Sequence, residues 1–344
     1  MSQKAIGKYE IIETLQESPL SAVHRCWDPD MRRRVVVKTI PESVSEGWYW
    51  LALENLENEA RIGVQVSHPT FLTYFTCEST QNPPHLVMEE VKGRSLSWIL
   101  EQPGFLCLEE VMHILEGVAI AVSALHGQGF IHCDITPGNI MIQEDQKIRL
   151  IDLGLARSIE GSAKRLHEKQ ATPEFASPEQ ISHQKLDIRS DVFSFAALAH
   201  FLFTGESPYR GSNSEEVLEQ RKYESLVISE PFPEMRFEEE GFRQLFTKAL
   251  SLSPRSRPQT IDDFLSSLIA LPKSLEDNFF PDEERTIIAF SKMGKTMKIP
   301  DFKESAEDHN EEETEESAKN TEEPCPFLSS KNRPVKTEAL KFLQ

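Results

Sequence analysis

The 344 residues are 39% hydrophobic and 27% charged, enough apolar material for a sizeable core and for more than one lobe. A formal charge of −19 argues against a nucleic-acid backbone or an anionic membrane surface as the main partner, while leaving room for a local basic groove. The five cysteines stand singly with no C-x-x-C pair, and the start has no long apolar run, so neither a zinc site nor a secretory leader is expected and a reducing, cytoplasmic setting is.

The first 90 or so residues read as strands around one helix. "YEIIETL", "LSAVHRCWD" and "RRRVVVKTI" are rich in β-branched and aromatic residues, with turn residues between them. "WYWLALENLENEARIGVQV" spaces its apolar residues as a helix does, and "PHLVMEEV" reads as a further strand. From about Ser95 the character changes to helix: "LSWILEQ", "LEEVMHILEGVAIAVSALHGQG" and "SDVFSFAALAHFLFTG", two of them closing on Gly. The most apolar stretch, Val192 to Phe203, is 12 residues long. A membrane span needs roughly 20, so this stretch is expected to be a buried core helix and no span is expected. No internal repeat is present.

The last 70 or so residues shift again. "EDHNEEETEESAKNTEEPCP" holds too few apolar side chains to offset chain entropy, so residues 272–344 are expected to form an acidic, largely disordered tail. Such a tail either solvates the chain or docks on a basic surface. Gly294-Lys295-Thr296 looks like the end of a phosphate loop, but Ala289 stands where that pattern needs its first glycine, and no βαβ context surrounds it.

"FIHCDITPGNIMI", residues 130 to 142, sets a polar centre between two apolar runs. Alone it reads as a Pro-Gly turn between strands. "IRLIDLGLA" follows as a buried strand ending in Asp152-Leu153-Gly154. Asp134, Asn139 and Asp152, at spacings of 5 and 13, would then leave the ends of neighbouring strands. Hard oxygen groups of this kind suit Mg²⁺, which prefers one or two carboxylates completed by substrate phosphates.

With these residues in view, the chain resembles the eukaryotic-type (Hanks-type) serine/threonine protein kinases. "HCDITPGNIMI" resembles the catalytic loop H-R-D-x-x-x-x-N, "DLG" resembles D-F-G, and "VVVK", ending in Lys38, resembles V-A-I-K. Glu59 falls in the place of the family's helix glutamate, and "LVMEEVKG" resembles its hinge. Ser177-Pro178-Glu179 stands in the A-P-E place, with Arg257 in that of the arginine pairing with this glutamate. The resemblance covers residues 9–271. It implies an α+β, bilobal fold, with a small β-rich N-lobe holding one main helix (about 9–91) and a larger, mostly helical C-lobe (about 92–271).

The resemblance also implies roles. Asp134 would accept the proton of a substrate hydroxyl, Asn139 and Asp152 would hold Mg²⁺, and Lys38 would contact the α- and β-phosphates of ATP while pairing with Glu59. Adenine would lie between Val23 and Met141 beside Leu15, with Met88 as gatekeeper and the hinge backbone at Glu89 and Val91 as its hydrogen-bonding edge. His132 would support the loop structurally. The substrate would be a protein serine or threonine.

The chain departs from the pattern in places. The loop expected to read G-x-G-x-x-G reads Gln16-Glu17-Ser18-Pro19-Leu20-Ser21. All three glycines are gone, Pro19 lacks an N–H, and Glu17 brings negative charge, so weaker ATP binding is expected. Thr136 replaces a phosphate-contacting lysine, Val36 a small alanine near adenine, and Cys133 the arginine that would pair with a phosphorylated activation loop. Activation by loop phosphorylation is therefore not expected. Ser158, Ser162 and Thr172 remain candidate phosphosites, Thr172 resembling more closely a residue that supports the substrate-binding loop. Two other functions compete. A pseudokinase serving as a signalling or scaffold module is motivated by the missing glycines and Thr136. A small-molecule phosphotransferase of kinase-like fold is opposed by "TPEFASPEQ", which in protein kinases shapes a peptide-binding surface.

Overall fold

The β-branched runs of the N-terminal region pair as antiparallel strands. In the computed structural model, which describes residues 5–102, 106–160, 172–209, 216, 228–232, 235 and 237–271, they are β1 (Ala5–Ile6), β2 (Tyr9–Glu17), β3 (Ala22–Asp28), β4 (Arg33–Thr39), β5 (Tyr74–Glu78) and β6 (His85–Glu89). They form one sheet in the order β1-β2-β3-β4-β6-β5. Strand β4 shows why "RRRVVVKTI" is apolar on both faces. Val35 and Val37 pack with Tyr9, Cys26 and Val87, whereas Val36 packs on the other face with Leu56, Leu86 and Met88. Helix α1 (Glu46–Gly63) lies against that second face and buries Ala52, Leu56, Glu59 and Ile62. Burying a glutamate there requires a partner, and the partner comes from the site.

Past the hinge the chain becomes mostly helical, as the 3.6-residue spacing requires. Strand β7 (Gly93–Ser95) leads into α2 (Leu96–Glu101), whose N-cap Ser95 accepts a hydrogen bond from Trp98 N. Then come α3 (Leu108–Gly127), α4 (Pro178–Ile181), α5 (Ile188–Thr204), α6 (Glu239–Ala249) and α7 (Ile261–Ile269). Every residue of α5 from Ser190 to Thr204 is buried, so the most apolar stretch is a core helix, closed by Gly205 at φ 69°. Around it α3 sends Ile114, Val118 and Val122, α6 Phe242 and Phe246, and α7 Phe264 and Leu268. No helix among the described residues is long and apolar enough to cross a membrane.

Four short strands sit between α3 and α4. β8 (Phe130–Ile131) pairs with β11 (Arg157–Ser158), while β9 (Ile140–Gln143) pairs with β10 (Ile148–Leu150) and with β7. The strand expected through "IRLIDLGLA" is shorter than its apolar run. The strand ends with Leu150 opposite Ile140, and one further in-register bond, Ile151 N to Asn139 O at 2.8 Å, carries the pairing up to the residue before Asp152. The acidic stretch 272–344, including Gly294-Lys295-Thr296, and Ser162 lie outside the described residues.

Candidate active site

Asn139 ends a short 3-10 turn (Pro137–Asn139) directly ahead of β9, and Asp152 follows β10 by two residues. Because β9 and β10 are antiparallel neighbours, with Ile140 opposite Leu150, these two side chains leave the same end of one small sheet. Asp134 joins them through Asn139, whose Nδ2 donates to Asp134 Oδ2 at 2.7 Å and to Asp134 O at 2.9 Å. The amide oxygen of Asn139 is thereby left as its acceptor. Thr172 Oγ1 donates to the other Asp134 oxygen at 3.3 Å.

The backbone under Asp134 is held from below. Asp191, fully buried on α5, accepts from His132 N at 2.7 Å, Cys133 N at 2.9 Å and His126 Nε2 at 2.8 Å. Gln180 Nε2 donates to Cys133 O at 2.7 Å, and Asp134 N to His132 Nδ1 at 3.2 Å. Cys133 adopts φ 68°, costly for a side chain bearing a Cβ, and these bonds hold it there. Its side chain lies in a small apolar cluster with Ile131 and Leu155. Burial pushes the thiol well above its ordinary range, so it is a packing group without nucleophilic character. His132 is fully buried, in keeping with a supporting role.

Lys38, reaching from β4, lies between two carboxylates: Nζ is 2.7 Å from Glu59 Oε2 and 2.7 Å from Asp152 Oδ2. Burial alone would lower the ammonium's pKa, but the charges of Asp152 and Glu59 outweigh it and hold Lys38 above the usual lysine range. Burial likewise pushes on Asp152, where Lys38 and a bond from Gly154 N (3.0 Å) prevail and keep it below the usual carboxylate range. Among the described residues no cation pairs with Asp134. Desolvation, then the charge of Asp152, push it up to about 7.

Several supporting residues carry no motif. Tyr74 Oη donates to Glu59 Oε1 at 3.1 Å. Asn58 Nδ2 donates to the carbonyls of Gly154 (2.9 Å) and Ala156 (3.0 Å), tying α1 to the turn that presents Asp152. At the hinge, Glu89 accepts from Thr73 N at 2.7 Å and pairs with Arg149 of β10, while Glu90 pairs with Arg25 of β3. An asparagine next to a glutamate, or an arginine on a strand, gives no sequence signal of such a task. Only the packing of distant elements makes one.

The roof of the cleft is apolar. Leu15, Leu20 and Val23 from the sheet, Val91 from the hinge and Ile151 from below pack against the apolar cluster that holds Val36 and Met88. Such a cleft fits a flat base, and its far end supplies a buried ammonium for phosphates. The donor set also fits a hard divalent ion, with an amide oxygen on Asn139 and a carboxylate on Asp152. Among the described residues no three His, Cys, Asp or Glu side chains group as a metal cage, so an ion here would complete its shell with phosphate oxygens and water. In the C-lobe, Glu179 at the start of α4 meets Arg257. Nη1–Oε1 is 2.7 Å and Nη2–Oε2 2.8 Å, a bidentate pair wholly inside the protein.

A two-lobed fold with a lysine–glutamate pair under the sheet, an aspartate and asparagine on the loop below, and a second aspartate opposite is the architecture of the protein kinases. The protein kinase domain family matches residues 9–268, and the chain belongs to that family. Its members use ATP with a divalent metal ion. Over 306 residues the chain is 28% identical to the serine/threonine-protein kinase PknB of Mycobacterium tuberculosis, covering 83% of this chain and 47% of that protein. It is 28% identical over 278 residues to PknB of Mycolicibacterium smegmatis (78% and 43%). It is 27% identical over 275 residues to the probable serine/threonine-protein kinase PknB of Bifidobacterium longum (76% and 39%). The chain thus spans less than half the length of these curated relatives.

Proposed function

We propose that the chain is a protein serine/threonine kinase that transfers the γ-phosphoryl group of Mg·ATP to serine and threonine hydroxyls of proteins, in the cytoplasm. The observation that carries this reading is Lys38 held 2.7 Å from both Glu59 and Asp152, with Asp134 tethered to Asn139 across the cleft. Mg²⁺, when bound, offsets the charge that builds on the phosphate oxygens. The chain's own residues position and polarise. Lys38 is preorganised by Glu59 to meet the α- and β-phosphates, and Asn139 and Asp152 offer the metal its two protein ligands. Asp134 aligns the incoming hydroxyl and takes its proton, its carboxylate orientation set by Asn139 on one oxygen and Thr172 on the other. Leu15, Val23, Val36, Met88 and Met141 receive adenine, and the hinge backbone at Glu89 and Val91 meets its edge. Thr172 on Asp134 favours serine and threonine hydroxyls, because that threonine sits in the segment that presents the substrate. The kinase domain is assigned to residues 9–271, with the acidic stretch after it suited to a basic surface.

The test is transfer of label from radiolabelled ATP with Mg²⁺ to the chain itself and to a generic basic protein. Wild type labels, and Asp134→Asn, which keeps the shape of the side chain, loses transfer by about a thousandfold or more if proton acceptance and alignment both reside there. Undiminished labelling by Asp134→Asn removes Asp134 from the reaction. Labelling of small alcohols but never of protein would move the chain to a different class of phosphotransferase.

A further inference from the structure

The four residues joining β2 to β3, Ser18-Pro19-Leu20-Ser21, stand where the phosphate-covering loop belongs, and they bond to one another. Ser18 N donates to Ser21 O at 2.8 Å. Ser18 Oγ accepts from Ser21 N at 3.1 Å and from Leu20 N at 3.4 Å, and its proton faces Ser21 O and Ser21 Oγ, both 3.1 Å away. Pro19 has no N–H to give. Every backbone donor of the loop is therefore either absent or turned inward onto residues 18 and 21, which hold two of the three places that glycine would fill. Leu20 packs down onto the apolar roof of the cleft with Leu15 and Val23, which fixes the turn from the other side.

We propose that Ser18 is a positioning residue that locks this loop into a closed, self-bonded turn, so that a nucleotide's triphosphate is gripped from the side of Lys38, Asn139 and Asp152 alone. This rests on the kinase reading of the cleft. The loop then serves as a rigid hydrophobic cover for the base and contributes nothing to the phosphates. Loss of the lock returns donors to the phosphates without altering the seat of the base.

The experiment is calorimetric titration of the full chain with adenosine and, separately, with Mg·ATP, for wild type, Ser18→Ala, Ser18→Gly and Ser18→Thr. The readout is the ratio of the two affinities. Freeing donors for a charged phosphate raises that ratio about fivefold in Ser18→Ala and further in Ser18→Gly, with adenosine affinity changed less than about twofold. Ser18→Thr keeps the hydroxyl and restores the wild-type ratio. A ratio unmoved in both Ser18→Ala and Ser18→Gly, or adenosine and ATP shifting together, overturns the proposal. Binding needs no turnover, so the two readings fail separately. A wild type that binds Mg·ATP with the predicted variant pattern yet labels no protein ends the kinase reading and leaves the Ser18 assignment standing. Labelled protein with an unmoved ratio does the reverse.

Discussion

Asp134 has an environment set by what surrounds it and by what the chain omits. Thr136, buried two residues on, brings no charge, so the Lys38 ammonium and the bonds from Asn139 and Thr172 only partly offset the desolvation of the carboxyl and the nearby charge of Asp152. Its pKa is pushed up to about 7. Below that pH the carboxyl is protonated, so if Asp134 accepts the substrate's proton, as proposed, activity is expected to fall as pH drops. Lys38, held above its usual range, and Asp152, held below its own, keep their charges throughout and add no second limb near neutrality. With Mg·ATP and a basic protein substrate both held well below saturation, so that the rate reports the free enzyme, the pH profile is expected to show an acid limb near pH 7. Thr136→Lys places a cation near Asp134 and moves the limb to lower pH. A wild-type profile flat from about pH 5.5 to 8 would show that Asp134 is already ionised across that range, contrary to its environment.

The elements that hold Lys38 and Asp152 work through one charged contact, Glu59 on Lys38, and through several that are not charged. Helix α1 carries Glu59 and Asn58 side by side, one reaching Lys38 and the other the carbonyls of the Asp152 turn, so a small shift of the helix disturbs both. Gly63 closes α1 and lies flat against the ring of Tyr74, the residue whose hydroxyl reaches Glu59. A methyl group at Gly63 would overlap that ring. Gly63→Ala is expected to push Tyr74 aside, cost about 1–3 kcal/mol of stability as overpacking does, and raise the KM for ATP as Glu59 slackens on Lys38. Tyr74→Phe, which deletes the hydroxyl without a clash, is expected to do less on both counts. Thermal melting and ATP kinetics on the two variants decide it, and equal effects would put the hydroxyl rather than the packing in charge. The same contrast explains what the linear sequence discloses. Asp134, Asn139 and Asp152 are legible from the spacing of their oxygen groups, whereas Lys38, Glu59, Glu179 and Arg257 are legible only through the resemblance of their motifs to those of protein kinases. The longer strands of the N-lobe and the helices α1, α2, α3 and α5 are legible too, because burial imposes periods of 2 and 3.6 residues. The lock made by Ser18, the reach of Asn58, the seat of Tyr74 on Gly63 and the early end of β10 at Leu150 are not. Each depends on which distant backbone atom lies within about 3 Å, and no local periodicity records that.

At the scale of the whole molecule the two lobes meet through polar ties and through shared packing, Ile62, Val66 and Phe71 of the N-lobe joining the apolar core of the C-lobe. Arg25 from the sheet and Arg149 from β10 each pair with one of the adjacent hinge glutamates, Glu90 and Glu89, so the hinge is pinned from both lobes. The C-lobe is held differently, by the wholly buried α5 and the aromatic side chains stacked on it. Phe203 meets Phe237, Phe242 and Phe246 edge-on, and Phe246 and Phe195 both meet Phe264 of α7. Helix α7, the last of the described elements, buries Ile261, Phe264 and Leu268 in this core, with Leu271 packed beside them. Each fully buried side chain of this size contributes about 1.5–3 kcal/mol, so losing α7 removes an amount comparable to the whole stability of a domain. Two truncations should therefore behave oppositely. Ending the chain after Leu271 keeps every contact described here and is expected to leave the melting temperature within about 2 °C, since changes that spare a protein's buried contacts shift stability by only about 0.5 kcal/mol. Ending it after Arg257 keeps the Glu179 pair yet strips Phe264 from Phe195 and Phe246, and is expected to yield a chain with no cooperative melt. If the longer truncation product also lost its transition, the folding unit would have to extend into residues 272–344, and the boundary at 271 would be wrong.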